Sequence, residues 1–448
     1  MVMEIPGECE YRGEAVVVRP SQPTPRHSLY LSNLDDQRFL RFSIKYLYVF
    51  PPLAAVAPET LRWALARALV DYYPLAGRLR PSAEDDGKLV VDCNAEGALF
   101  AEAFLPGLTA GDFLRGSAKP HKSWRKLLYR VHATSFVDVP PLVVQVTQLG
   151  CGGMVLCTAI SHCLCDGIAT ANFLHAWARA AAHLDLPLVH HDRCALRPRC
   201  PPRVAFTHPE YSVSTSTTAG CHPHPHPLLP VSLTFTASHL RRLKTRAPCT
   251  SFEALAAHVW RAWVISLAPP PALRVKLLFS VNVRRRLRPE LPATYSGNAF
   301  VLACAEATAA DLVATGGVRL VQEAKGRIDD DYVRSTVDLL EERRGAKPDL
   351  AATLVISAWT RLGLEDVDFG KGRAVHMGPL TSEVYCVFLP VLADPDAVTV
   401  LVSLPQPAAE AFEHHCCLLH DEPLDKQLQL QGSDHLAVGH RHAHDILA

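Results

Sequence analysis

Residues 154 to 167 read Met154-Val-Leu-Cys-Thr-Ala-Ile-Ser161-His162-Cys-Leu-Cys-Asp166-Gly167. The first part is an apolar run rich in β-formers, the pattern of a buried strand. It stops at Ser161-His162, passes through a short polar turn and is closed by Gly167. Ile168 to Ala182 follows with Phe173, Leu174, Trp177, Ala178 and Ala181 at helical spacing. One histidine therefore sits where a core strand meets a loop and a helix. That mounting suits a general base, because its geometry must be fixed before its pKa matters. A histidine near a core strand is more often a hydrogen-bonded structural residue, and a bare H-x-x-x-D carries a high false-positive risk. Cys163 and Cys165 also raise a metal reading, but C-x-C is not a usual zinc spacing and no second ligand pair lies nearby. No metal is therefore expected.

Upstream, Leu142 to Gln148 is a second apolar run, joined to the first by Gly150-Cys151-Gly152-Gly153. The pair predicts a hairpin that feeds His162. Arg41 to Phe50 predicts a strand and Pro58 to Leu69 a helix with Leu61, Leu65 and Leu69 on one face. Leu89 to Asp92 predicts another short strand. Residues 184 to 230 lose all periodicity and are rich in Pro, His, Cys, Ser and Thr, which predicts a mobile crossover. His222, His224 and His226 alternate with proline there, so an extended chain spreads them apart and they read as solvated rather than as a metal site.

Order returns with a strand at Val231 to Thr236 and a helix opening at Thr250-Ser251-Phe252-Glu253, where Thr250 has the capping-box spacing to Glu253. Val275 to Val283, Leu354 to Trp359, Ser382 to Leu389 and Ala397 to Leu404 predict strands. Ala309 to Lys325 and Ser335 to Arg344 predict helices, the first interrupted by Gly316-Gly317. Phe412 to His420 predicts a terminal helix, and the His- and Gln-rich tail after 421 predicts disorder. The order is mixed α/β, with strands separated by helices in both halves.

The 448 residues, 48% of them hydrophobic, suffice for two ordinary domains with sizeable cores. The division expected is 1–185, a crossover at 186–230, 231–410, and an atypical tail at 411–448, with the segment near 370–390 packing on the first domain. Forty-five basic residues balance 45 acidic ones, which argues against nucleic acid or an anionic membrane as the main partner and leaves room for a local basic patch. No window approaches a membrane span, and the first ten residues do not read as a secretory signal. The 14 cysteines have no framework spacing and read as free thiols in a cytoplasmic, reducing compartment.

The segment His162-Cys-Leu-Cys-Asp166-Gly167 resembles the H-x-x-x-D-G motif of the plant BAHD acyltransferases, and Asp368-Phe369-Gly370-Lys371-Gly372 resembles their D-F-G-W-G. Three more segments agree: Tyr73-Pro-Leu-Ala-Gly-Arg78, Val281-Asn-Val-Arg284-Arg-Arg286 with Tyr295-Ser-Gly-Asn298, and the helix ending His258-Val-Trp-Arg261. Lys371 departs from the family's Trp. The resemblance implies two similar-sized chloramphenicol-acetyltransferase-like domains, built of mixed sheets with flanking helices, with a channel at their interface. It implies a monomer that moves an acyl group from a coenzyme A thioester to a small alcohol or amine. The thioester is a co-substrate, and no cofactor is permanently bound.

By the same resemblance His162 is the general base, and Asp166 points away from substrate to pair with Arg284, or failing that with Arg286. Gly167, Asp368 and Gly370 support the site. Ser357 and Trp359 stand where the family has acceptor or oxyanion contacts. Ser251, at a helix N-terminus, is a candidate for the coenzyme's phosphates, and Tyr295 and Asn298 are further coenzyme candidates. Leu31-Ser-Asn-Leu-Asp35 is similar to members that use hydroxycinnamoyl donors with long-chain or phenolic alcohols. Two other readings remain open. One is a non-catalytic relative that binds another acyl-metabolising enzyme, which intact His162 and Asp166 argue against and Lys371 and the atypical tail mildly favour. The other is a peptide-synthesis condensation domain, disfavoured because Ser161 stands where that class has a second histidine.

Overall fold

The structure is a computed structural model that describes residues 3–5, 7–85, 87–115, 119–133, 135–212, 227–381 and 385–418. The hairpin Leu142–Leu149 and Met154–Ser161 forms the middle of a seven-stranded sheet. Both strands are buried almost throughout, so each reads as a continuous apolar run rather than as an alternation. The turn needs its glycines. A Cβ on Gly150 would lie 2.0 Å from the Pro106 carbonyl, and Gly152 has φ +82°. Strand Ser43–Phe50 pairs antiparallel with Met154–Ser161, which sets Ser43 opposite Ser161 at the mouth of the histidine turn.

The outer neighbour of Ser43–Phe50 comes from far along the chain. His376–Pro379 pairs with it antiparallel and closes what would otherwise be an open edge. Helices Pro58–Asp71 and Gly167–Ala181 pack together over one face of this sheet. Met3, Ile5, Phe113 and Trp124 belong to the core on the other face.

The second half carries a six-stranded sheet in the order Leu228–Phe235, Asp394–Pro405, Cys386–Val391, Thr353–Ala358, Arg274–Asn282, Phe300–Thr308. Its core is sealed by helices that include Ser251–Leu267 and Asp330–Glu342. The mixed α/β architecture expected from the element order is the one observed.

Several expectations are corrected. The helix over 309–325 is two helices, Ala309–Thr315 and Val318–Gly326, because Gly316 and Gly317 both adopt φ +76°, the left-handed geometry that ends a helix. Phe300–Thr308, alanine-rich and weak in β-formers, is a strand that the sequence reading left unassigned. Residues 186–212 are not a loose crossover. His208 and Glu210 are buried there, and Ser335 on the helix Asp330–Glu342 accepts from the backbone N–H groups of Ala205 and Phe206. The three alternating histidines at 222–226 and the tail after 421 lie outside the described residues. The terminal helix is Gln406–Cys417.

Candidate active site

His162 follows the last residue of its strand, and its backbone N–H donates to the Phe42 carbonyl at 2.9 Å. Its own carbonyl accepts from Asn298 Nδ2 at 2.7 Å. The chain is thus gripped on both sides of the residue before the side chain is considered. The imidazole lies 5.4 Å from the Phe42 ring and 5.8 Å from Phe300, centroid to centroid. Nδ1 is enclosed without a hydrogen-bond partner. Burial pushes the imidazole pKa below its ordinary value, partly opposed by the nearby backbone, by the Asp166 charge and by Asn298. The ring is therefore neutral at pH 7 and has a free lone pair.

Asp166 is the N-cap of Gly167–Ala181 and accepts from the Ala169 N–H at 2.9 Å. Arg284 reaches it from the other half of the chain with Nη1 and Nη2 at 2.7 and 2.9 Å. The Ala299 N–H donates a fourth bond at 3.0 Å. A carboxylate has about four acceptor sites, so Asp166 is fully occupied and has no lone pair left for substrate. Arg284 also donates to the carbonyls of Tyr295 and Gly297. Arg286 is turned elsewhere, to the carbonyls of Lys325 and Ile328. At Gly167 the requirement is space: a Cβ there would meet Leu362 Cδ1 at 2.7 Å.

His162 opens onto a cavity of about 760 Å³ between the two halves, walled largely by apolar and aromatic side chains. Ser357 and Trp359 line it, with the Trp359 ring 4.9 Å from Tyr46. So do Phe42, Phe300 and Tyr385, which the sequence reading did not single out.

Three coenzyme candidates do not reach this space. Ser251 stands at the first turn of its helix, capped by Thr250, and is not in the cavity wall. Tyr295 and Asn298 are both wholly buried, so as placed neither offers a surface to a coenzyme. Tyr295 lies under the guanidinium groups of Arg193 and Arg284, 5.3 and 5.7 Å from its ring centroid. The Asn298 amide bridges His162 and the buried carboxylate of Asp35.

Asp35, quoted in the sequence only as the end of a substrate-related segment, is instead a buried carboxylate behind the site. It accepts from the Ser32 N–H and hydroxyl and from Asn298, with Arg193 Nε 3.6 Å away. The Leu31–Asp35 segment is thus a joint between the halves rather than a surface for substrate; Asn33 also donates to the Val337 carbonyl and to Glu341. The only available signal was an acid in an apolar stretch, and Arg193 had none.

Asp368 and Gly370 are also away from the cavity. The Asp368 carboxylate accepts from the N–H groups of Gly370 and Gly372, both at 2.8 Å, and so folds the loop on itself. Phe369 then plugs the loop into the first core, against Trp177 at 5.2 Å and Phe50 at 5.9 Å. Lys371 is exposed.

Cys163 and Cys165 are buried, and desolvation raises both thiols, Cys165 to about 12. Among the described residues no three His, Cys, Asp or Glu side chains converge as metal ligands. No described helix is long and apolar enough to cross a membrane.

A family model described as the Transferase family matches residues 11–419. Fatty alcohol:caffeoyl-CoA acyltransferase of Arabidopsis thaliana is 36% identical, over 90% of this chain and 96% of that protein. Omega-hydroxypalmitate O-feruloyl transferase of the same plant is 35% identical, over 90% and 92%. The solved structure of vinorine synthase has a TM-score of 0.69 at 21% identity, covering 90% of this chain and 96% of that one. That likeness is one of fold. Taken with the motifs in order along the chain, the matched length and these relatives mean that the chain belongs to the Transferase family, the plant BAHD acyltransferases, and is an acyltransferase.

Proposed function

We propose that the cavity joins a hydroxycinnamoyl-type coenzyme A thioester to an alcohol, with His162 as the general base. The observation that carries this reading is the imidazole itself: neutral, clamped through its backbone on both sides, and facing an apolar cavity large enough for two reacting groups. With Nδ1 enclosed, Nε2 is the nitrogen that meets the acceptor. It takes the hydroxyl proton as the oxygen attacks the thioester carbonyl carbon. The tetrahedral oxyanion needs a donor, and Ser357 and the Trp359 indole N–H are the candidates in the wall. The C–S bond then breaks, the sulfur takes the proton back from the imidazolium, and ester and free coenzyme A leave. No acyl-enzyme is required, because both substrates share one site.

Asp166, Arg284, Asn298, Asp35 and Tyr295 act as positioning residues for the histidine turn, and Asp368, Phe369 and Gly370 as a latch on the first core. The choice of donor is supported by the names of the two relatives at 36% and 35% identity, which carry caffeoyl and feruloyl groups, and by the aromatic walls beside His162. One chain carries the whole site, which suits a monomer, and the described cysteines are all free, which suits a reducing compartment such as the cytosol. A panel of acyl-coenzyme A donors, offered with primary alcohols and followed by thiol release and product mass, tests this. Turnover with feruloyl- or caffeoyl-coenzyme A well above acetyl-coenzyme A is expected. Turnover confined to acetyl transfer, or thiol release without ester, would reject it.

A further inference from the structure

We propose that Asn282 is a further catalytic residue: its amide N–H groups face the cavity beside His162 and donate to the thioester carbonyl oxygen as that oxygen takes on negative charge. This rests on the acyl transfer proposed above and adds to it a donor for the tetrahedral intermediate.

The strand places the residue. Along Arg274–Asn282 the side chains of Leu277, Phe279 and Val281 join the helix-covered core, so by alternation Leu278, Ser280 and Asn282 line the cavity. Ser280 and Asn282 are exposed there, whereas Leu278 is wholly buried. Asn282 pairs directly with Phe300. Residues opposite one another on one face of a sheet have Cβ atoms about 4.5–5.5 Å apart. The Phe300 ring in turn lies 5.8 Å from the His162 imidazole. The Asn282 amide is therefore one side chain removed from the base. Ser357 is farther along the sheet. Phe279 pairs with Ile356 on the parallel strand Thr353–Ala358, which sets Ser357 level with Ser280 rather than with Asn282. Two residues separate those levels, about 7 Å along the strand.

The amide's orientation is fixed by its neighbours. Two donors approach Oδ1, the Arg284 backbone N–H at 3.1 Å and Arg284 Nη1 at 3.4 Å. Only the oxygen can accept from both, so the NH2 end is the one left to the cavity. The same Nη1 donates to Asp166 at 2.7 Å. Asn282 thus hangs from the ion pair that holds the histidine turn, and its position is tied to that of His162. A guanidinium donating to an amide oxygen draws electron density from the amide and strengthens its N–H donors. The charge of Arg284 is itself answered by Asp166, so what reaches the cavity is a neutral, polarised donor. Such a donor favours the tetrahedral state over the thioester, because the carbonyl oxygen gains its charge only as the acceptor attacks. When the C–S bond breaks, that electron pair returns to the carbonyl double bond and the hydrogen bond weakens again.

The test is steady-state kinetics and thermal melting of Asn282→Ala and Asn282→Asp, with feruloyl-coenzyme A and a primary alcohol. Asn282→Asp keeps an oxygen for Arg284 and removes both N–H donors, whereas Asn282→Ala removes both ends of the amide. Each should lower kcat by about 10²–10³-fold, the loss expected for one oxyanion donor. KM for both substrates should stay close to wild type, and so should the Tm of Asn282→Asp. If Asn282→Asp keeps wild-type kcat, the residue acts only through Arg284 and the proposal is overturned. A loss carried by KM instead of kcat would make the amide a ground-state contact, and unchanged kcat in both variants would remove it from the reaction; either result overturns the proposal. So would a fall in the Tm of Asn282→Asp, which would place the residue in the Asp166–Arg284 framework. His162→Ala separates this role from the reading it rests on. Wild-type kcat in His162→Ala rejects the base, whereas the Asn282 variants report charge on the carbonyl oxygen and lose turnover whichever group takes the proton.

Discussion

Breaking the Asp166–Arg284 pair should lower stability and turnover together. Both side chains are nearly closed to solvent, at 7% and 5% exposure, and they meet through two parallel hydrogen bonds. Arg284→Ala leaves the Asp166 carboxylate buried with only the Ala169 and Ala299 N–H groups. Orphaning one member of a buried pair costs about 3–5 kcal/mol. Asp166→Ala orphans the guanidinium instead and also removes a helix N-cap, a further cost of about 1 kcal/mol. At about 2.1 cal/mol/K of unfolding entropy per residue, 3–5 kcal/mol becomes a fall in Tm of about 3–5 °C for a chain of this size. Turnover should fall as well, because Asp166 anchors the turn that aims His162. The double variant should be no worse than about the worse single, since the second change removes the orphan charge. Thermal melts and thiol-release kinetics on the four proteins give the cycle. Additive losses in Tm would mean that the two residues do not stabilise one another, and the reasoning would be wrong.

Phe369→Ala should destabilise by about 3–5 kcal/mol, as a large aromatic removed from a core, whereas Lys371→Ala should stay within about 0.5 kcal/mol because Lys371 is exposed; denaturant titration of both checks this. The acid limb of kcat/KM should have an apparent pKa below 6.5, because burial lowers that of His162 and only the neutral ring can take a proton; a limb above 6.5 would contradict it. His376 is half-buried, and desolvation of its ring lowers its pKa to about 4. The unfolded chain therefore binds the extra proton first, and stability should fall as pH drops from about 6.5 towards 4. His376→Phe should reduce that slope in melts at pH 7 and pH 5. Exhaustive EDTA dialysis should leave turnover unchanged, and a loss restored by zinc alone would replace the general-base account.

The parts of this molecule that could be read from sequence are those whose signals are local. The hairpin before His162 is two uninterrupted apolar runs around a glycine turn, and strands of that kind are fixed by their own composition. Thr250 and Glu253 announced a helix start at three residues' separation, and the capping box is present in full. The Asp166–Arg284 pair was legible only because two motifs resembled a family's; nothing in the spacing of residues so far apart fixes a contact. Where long-range packing decides the outcome, the sequence was silent or misleading. Asn298 and Tyr295 were coenzyme candidates by resemblance, yet the Asn298 amide N–H groups donate within the protein and the Tyr295 ring is buried beside Arg193 and Arg284. Arg193 and Glu210 lie in a stretch with no periodicity, so only their partners, Asp35 and Tyr332, reveal that the crossover is packed. Phe300 was hidden in a strand too rich in alanine to be recognised.

The central claim is that acyl transfer depends on His162 as a base held by a framework that does not need its side chain. The most direct test is kcat for His162→Ala with feruloyl-coenzyme A and a primary alcohol, measured beside the Tm and the affinity for the thioester. The account predicts a fall in kcat of about 10²–10⁴-fold, with Tm and thioester affinity close to wild type. A variant that keeps wild-type kcat would contradict it.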